Sequence, residues 1–444
     1  MKNINKDEEE GNANISYMTR VGEVVFFTAD NGVNNEELWM SDGTGKGTVM
    51  IKNIASGESI FDFENEAGSH PRDLVEMNGL LFFTADDGVN GRTLWRSDGT
   101  EEGTVMVMET NPWVQFSLSP VSKVNGRLYF SADDGIHDTE LWTSDGSADG
   151  TYLIKDINPN GNSGSSGYYG FAYLDGFVYF RADDGIHGDE LWRTDGTAEG
   201  TRMVADINPD GSAGPYRFVS YKNKVYFIAN NGRSGSELWR TDGTVEGTEI
   251  LKETATQPYG NVKDLIVAGN HLLFEVNTGT GFEILWRTNG SVLGTQELRR
   301  YRSLNIGPGF ALAVGDTLLF NAGNNTWGRE LWKTNGTPGG TKMVEDIAHG
   351  ERGSHPRGMT LAGTTVYFAA STDRLGTELW RTSGSFSNAR LVWDVNRNGN
   401  GHVGSLTLAG NTLFLKAETE LFGPEELFKL DVSPHIPWSL LLED

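Results

Sequence analysis

One short pattern is repeated along this chain, and that repetition constrains the fold more than any other feature. The clearest copy reads Tyr179-Phe180-Arg181-Ala182-Asp183-Asp184-Gly185, then Glu190-Leu191-Trp192-Arg193-Thr194-Asp195-Gly196-Thr197, then Gly200-Thr201. Its Leu-Trp pair recurs at Trp39, Trp95, Trp142, Trp192, Trp239, Trp286, Trp332 and Trp380, and Phe428 takes the ninth slot. A period of about 48 residues means an array of one supersecondary unit.

Each copy holds four short apolar runs joined by turn chemistry. In the fourth copy they are 171–174, 177–182, 189–194 and 202–207, called strands a to d below. The joints are Asp-Gly and Asn-Gly pairs, where glycine takes positive φ without steric cost. No run reaches helix length with a 3.6-residue period. Strand b is continuously apolar, as in Val24-Val25-Phe26-Phe27 and Leu80-Leu81-Phe82-Phe83. Such a strand is buried on both faces, which a radial array of small sheets provides. Strand c alternates, so Leu191 and Trp192 face opposite neighbours.

Together these features predict an all-β chain: a single closed β-propeller of nine four-stranded blades. Eight blades plus a C-terminal appendage is the alternative. The ninth copy is degenerate, with runs at 406–408, 412–415 and 426–430 and an outer strand expected at Trp438–Leu442. The first copy opens near Ile15–Thr19 on its own inner strand, so closure by an N-terminal segment is not required. Residues 1–13 are polar, carry Asp7-Glu8-Glu9-Glu10, and read as a disordered lead to a propeller spanning 14–444.

The net charge is −25, from 36 Lys and Arg against 61 Asp and Glu. That argues against nucleic-acid binding, which needs clustered cations. There is no cysteine, hence no disulfide and no thiol chemistry. No signal peptide or membrane-spanning run is visible, and a monomer without membrane insertion is expected.

The string Glu-Leu-Trp-x-Thr/Ser-Asp-Gly-Thr-x-x-Gly-Thr, with Ala-Asp-Asp-Gly upstream, resembles the ELWxxDGTxxGT repeats of bacterial proteins that are often secreted or surface-exposed. The resemblance runs from about residue 15 to residue 430. It implies a propeller-like β-fold and an extracellular or cell-surface setting, although a cytoplasmic location stays open without a signal peptide. It implies no activity. Asn289, Asn335 and Ser383 replace the turn Asp in later copies, and the ninth copy reads as having lost the turn.

Candidate functional residues lie in the d-to-a loops, which vary most between copies. Three loops carry spaced oxygen donors before a glycine: Asp156, Asn158 and Asn160; Asp206, Asn208 and Asp210; Asp394, Asn396 and Asn398. Alternating oxygens of this kind suit calcium, the candidate cofactor, while Asx-turn chemistry explains them without it. The residues expected at the channel mouth include Arg72, Tyr169, Tyr216 and Arg357, with Trp113, Tyr168 and Tyr259 in neighbouring loops. Aromatic faces beside polar groups suit a glycan or protein ligand. The turn Asp residues and the Trp set read as architecture, and the Glu and Arg flanking each Leu-Trp read as inter-blade ion pairs.

The favoured expectation is a non-catalytic recognition or adhesion propeller, calcium-assisted and lectin-like. A channel-centred enzyme, polysaccharide-cleaving or lactone-hydrolysing, is the alternative; a purely structural assembly module is the third. The enzyme reading requires carboxylates with displaced pKa values at the channel.

Overall fold

Nine antiparallel sheets follow one another along the chain, each ordered a-b-c-d in sequence. The computed structural model describes residues 3–5, 12–55, 68–109, 121–164, 169–254, 260–383, 386, 388–397, 399–419 and 423–433. Blade four is typical: Ala172–Leu174, Phe177–Asp183, Asp189–Thr194 and Arg202–Ala205. Blade seven has its inner strand in two pieces, Ser303–Asn305 and Ala311–Val314, both paired to Thr317–Asn324. Blade nine shows three strands among the described residues, and the expected outer strand at 438–442 lies outside them. Inner strands touch in a ring, with Gly404–Ala409 of blade nine beside Ser16–Val21 of blade one. The chain is therefore the nine-bladed propeller that the repeat predicts. Among the described residues no helix is long and apolar enough to cross a membrane.

Packing follows the pattern of strand b. The largest fully buried side chains, including Phe26, Phe27, Tyr179, Phe180, Tyr226 and Phe274, all lie on it. Successive residues point to opposite faces, so Phe26 packs with blade two and Phe27 with blade nine. Each such ring contributes about 1.5–3 kcal/mol on burial.

The c-to-d turn is held as expected. Asp195 Oδ1 accepts Thr197 N at 2.9 Å and Thr197 Oγ1 at 2.7 Å. Asn335 does the same for Thr337. In the ninth copy Asp431 Oδ1 accepts Ser433 N at 2.9 Å, and the chain beyond residue 433 lies outside the described residues. In blade four the expected Glu–Arg ion pair is replaced by contacts to backbone. Arg193 Nη1 instead donates to Gly243 O of the next blade at 3.1 Å, and Arg96 to Gly146 O at 3.1 Å. The glutamate faces the opposite end of the blade and anchors the d-to-a loop. Glu190, fully buried, accepts Ile207 N at 2.6 Å and Ala213 N at 3.0 Å. A carboxylate with several acceptor sites suits a loop whose amides have no sheet partner.

That anchor corrects the reading of the N-terminus. Glu426 of blade nine accepts Ile4 N at 3.2 Å through both oxygens. In six other blades the matching glutamate takes the amide seventeen residues onward, as in Glu140–Ile157 and Glu378–Val395. Asn3-Ile4-Asn5 reproduces Asp156-Ile157-Asn158, and Asn5 Nδ2 donates to Asn12 O at 3.1 Å just as Asn158 Nδ2 does to Asn162 O. Ile4, Ala13 and Ile15 are buried with Phe414 and Leu427. The described part of the lead is thus the d-to-a loop of blade nine, and it closes the ring rather than hanging free.

Candidate functional site: the polar ring at the channel mouth

The d-to-a and b-to-c loops share one face, and there the inner strands bulge. In blades one, two, five, eight and nine two inner-strand residues oppose one on strand b. The first bulge residue is left-handed: Tyr17, Asp73, Arg217, Gly358 and Ser405, at φ between 47° and 64°. A bulge re-aims a side chain and twists the strand. Four of the five residues are not glycine, although only glycine takes this conformation freely.

Behind the bulges lies one strand-b position that does not repeat. It follows the last strand-b aromatic and reads Thr28, Thr84, Ser131, Arg181, Ile228, Glu275, Asn321, Ala369 and Lys416 around the ring. In several blades its side chain meets the first residues of strand c on the same face. Thr28 Oγ1 donates to Glu36 at 2.6 Å, Arg181 pairs with Asp189, and Lys416 pairs with Glu425 at 2.8 Å. Architecture repeats in every blade; this ring carries the differences. The sequence signal was visible as one variable, mostly polar residue inside an otherwise apolar strand.

Blade six carries the densest group. Lys263 and Asp264 form the bulge opposite Glu275. Lys263 Nζ lies 2.6 Å from Glu283 Oε1 and 3.3 Å from Glu275 Oε1. Asp264 pairs with Arg217 of blade five at 2.7 Å. Glu283 also accepts the Leu304 amide at 2.5 Å. Glu275 is 2% exposed. Burial, reinforced by the charge of Glu283 and opposed by Lys263, pushes it up to about 7. Burial likewise raises Asp264 against Arg217 and Lys263. The loop-anchoring glutamates are also pushed up by burial, Glu190 to about 7, but they are occupied by backbone amides. Glu275 has a lysine as its partner instead, and blade six has Ile284 where the anchoring glutamate stands in seven of the other blades, blade two having Thr93.

A second polar group joins blades one and two. His70 Nδ1 lies 3.1 Å from Glu36 Oε2, and Arg92 Nη1 donates to His70 O at 2.9 Å and Thr84 Oγ1 at 3.2 Å. Burial raises Asp73 beside it.

The residues expected from sequence are placed as follows. Arg72, Tyr216 and Arg357 each open an inner strand at one shared register, opposite Thr84, Ile228 and Ala369. They share that register, but the described aromatics are engaged internally. Tyr216 Oη donates to Val262 O at 3.0 Å, and the Arg181 guanidinium covers the Tyr169 ring at 3.9 Å. Trp113, Tyr168, Tyr259 and Asn398 lie outside the described residues. The Asp-x-Asn loops turn on themselves: Asn158 Oδ1 accepts Asn160 N at 3.3 Å, and Asn208 and Asn396 donate to Ser212 O and Asn400 O. Asn160 and Asp210 are exposed. Asp156, Asp206 and Asp394 each carry a buried Oδ1 without a hydrogen bond. Among the described residues no group of three or more His, Asp or Glu is placed to hold a metal.

No family model and no curated protein matches this chain. Solved structures do. A puromycin hydrolase is similar at 15% identity and a TM-score of 0.43, over 82% of this chain and 60% of that one. A prolyl endopeptidase studied for inter-domain dynamics is similar at 10% and 0.45, over 91% and 54%. A puromycin-hydrolyzing peptidase of Mycobacterium tuberculosis is similar at 12% and 0.44, over 82% and 59%. This chain spans between about half and three fifths of their length. The expectation of a non-catalytic adhesion or lectin-like propeller is corrected at the aromatic face it needs: of the aromatics assigned to ligand, Tyr169 and Tyr216 lie among the described residues, and both are engaged inside the molecule.

Proposed function

We propose that the chain is a hydrolytic enzyme whose acid–base group sits at the channel mouth on blade six. The observation that carries this reading is Lys263 bridging Glu275 and Glu283 at 3.3 and 2.6 Å, with Glu275 pushed up to about 7. At neutral pH a substantial fraction of Glu275 carries its proton and can deliver it to a leaving group. Glu283, held by Lys263 Nζ at 2.6 Å, takes a proton from the attacking water. Two carboxylates whose environments differ divide acid and base roles in this way. Lys263 holds the pair together.

The test is a hydrolysis screen of the purified chain against peptide anilides, aryl glycosides and lactones, with Glu275→Gln and Glu283→Gln in parallel. The reading predicts turnover of one class and a loss of at least about 100-fold in either variant. No turnover of any class, or full turnover in Glu275→Gln, would overturn it.

A further inference from the structure

On the face opposite the channel mouth, a pocket of about 220 Å³ opens inside blade seven, walled by that blade's own strands b, c and d. The first residue of strand b accounts for it. In blades three to six that residue reaches across strand c. Arg127 donates to Gly150 O at 3.1 Å, Phe177 lies under the Arg193 guanidinium at 4.1 Å, Lys224 pairs with Asp242 at 3.1 Å, and His271 Nε2 lies 3.4 Å from Arg287 Nη1. Blade seven has Thr317 at this place, too short to cross, and the space stays open. Gly339 leaves the rim clear, since a Cβ there would meet nothing within 4 Å.

The charges change with the shape. Blade five carries Asp242, Glu246 and Glu249 around this position, and Arg240 pairs with Glu249 at 2.6 Å. Blade seven has Asn335, Gly339 and Lys342 at the same three places. Lys342 therefore stands opposite Lys333 across strands c and d. Like charges placed so destabilise a sheet, and an anion between them relieves it. Burial, with Lys342 beside it, holds the Lys333 amine below its ordinary value. In blade five the first oxygen of Asp242 accepts Thr244 and the second meets Lys224. Asn335 Oδ1 accepts Thr337 in the same way, so the second place holds an amide nitrogen, which donates. No Asp or Glu lines the pocket, in a chain of net charge −25.

We propose that this pocket binds a phosphate group, as the free ion or as a small monoester. Two ammoniums, the Asn335 amide and the Thr317 hydroxyl supply donors for its oxygens. A phosphate near neutral pH carries about −1.5 to −2 charges, which the two lysines balance. Lysine suits it as a compact point charge. An ammonium has three donors, so a lysine already bonded within the protein still has donors for a ligand. The volume lies below the about 300–1,000 Å³ of drug-sized sites and fits a group of this size.

The experiment is calorimetric titration of the full chain at low ionic strength with inorganic phosphate, with methyl phosphate and, as a monoanion control, with acetate. At least one phosphate should bind, and acetate at least about tenfold more weakly; the tighter phosphate tells the free ion from the monoester. Asn335→Asp restores the repeat's own residue, and Lys342→Glu sets a carboxylate opposite Lys333 as Glu249 stands opposite Arg240. Each should lower phosphate affinity at least about tenfold, and Lys342→Glu should also raise the melting temperature in phosphate-free buffer. Lys46→Glu makes the same charge change in the exposed c-to-d turn of blade one and should leave the affinity unchanged. No phosphate binding at about 10 mM, acetate binding as tightly, or unchanged affinity in either pocket variant would overturn the assignment. So would an equal loss in Lys46→Glu, since binding would then follow net charge alone.

Discussion

Removing the Glu330 carboxylate tests whether the anchoring glutamates hold the loop face together. Glu330 is fully buried and accepts Ile347 N at 3.0 Å, Ala348 N at 3.2 Å and Ser354 N at 2.9 Å, besides the Ser354 hydroxyl. Glu330→Ala leaves the Ile347 and Ala348 amides without a partner, while Ser354 N keeps its bond to Arg329 O at 2.8 Å. Each buried orphan costs about 1–3 kcal/mol, so the gross loss is about 2–6 kcal/mol. Burial pushes Glu330 up to about 6 from 4.5, so removing the carboxylate at neutral pH recovers about 2 kcal/mol. The net loss centres on about 2 kcal/mol. Glu330→Gln keeps one acceptor oxygen and should lose less. Because the folded pKa is raised, the wild type is most stable below the unfolded value and loses that advantage as pH rises through about 6. The penalty of the non-titrating glutamine therefore shrinks with rising pH, by up to about 2 kcal/mol. Urea unfolding at pH 5 and pH 8, read as midpoint times slope, measures both. A loss under about 1 kcal/mol for Glu330→Ala, or a glutamine penalty that grows with pH, would refute the reasoning.

Further outcomes follow from the ring closure and the loops. Ile4→Asp places a charge beside Phe414, Leu427 and the Glu426 carboxylate, and should lower the melting temperature far more than Asn14→Asp; equal effects would show that the segment does not close the ring. If calcium is held at the loop carboxylates, it raises the melting temperature by mass action, and Asp206→Ala, which removes a buried unpartnered Oδ1, shrinks that rise; an undiminished rise would exclude Asp206 as a ligand.

The architecture was legible because it is written in every copy. Strand b, the turn Asp and the Leu-Trp pair recur with one meaning, and the structure uses them so. The closure was missed because Asn3-Ile4-Asn5 resembles its counterparts over only three residues, and the acidic run that follows dominated the reading. Glu190 and Arg193 looked like an ion pair since they are three apart, yet on a strand they face opposite sides. One meets a loop and the other the next blade. The site was missed for a different reason. Attention went to the loops because they vary, while the variable position that matters is inside a strand: Glu275 interrupts Leu272-Leu273-Phe274 and Val276. Nothing in the sequence places the Lys263 amine between Glu275 and Glu283. A bulge that sets two residues against one cannot be counted from spacing alone.

The most direct measurement is the pH dependence of kcat/KM for a hydrolysed substrate, in the wild type and in Glu275→Gln. The account predicts activity that declines as pH rises through about 7, where Glu275 gives up the proton it must donate, and a variant that is nearly inactive across the range. A wild-type profile flat from pH 6 to pH 8, or a variant that keeps both the rate and the profile, would contradict it.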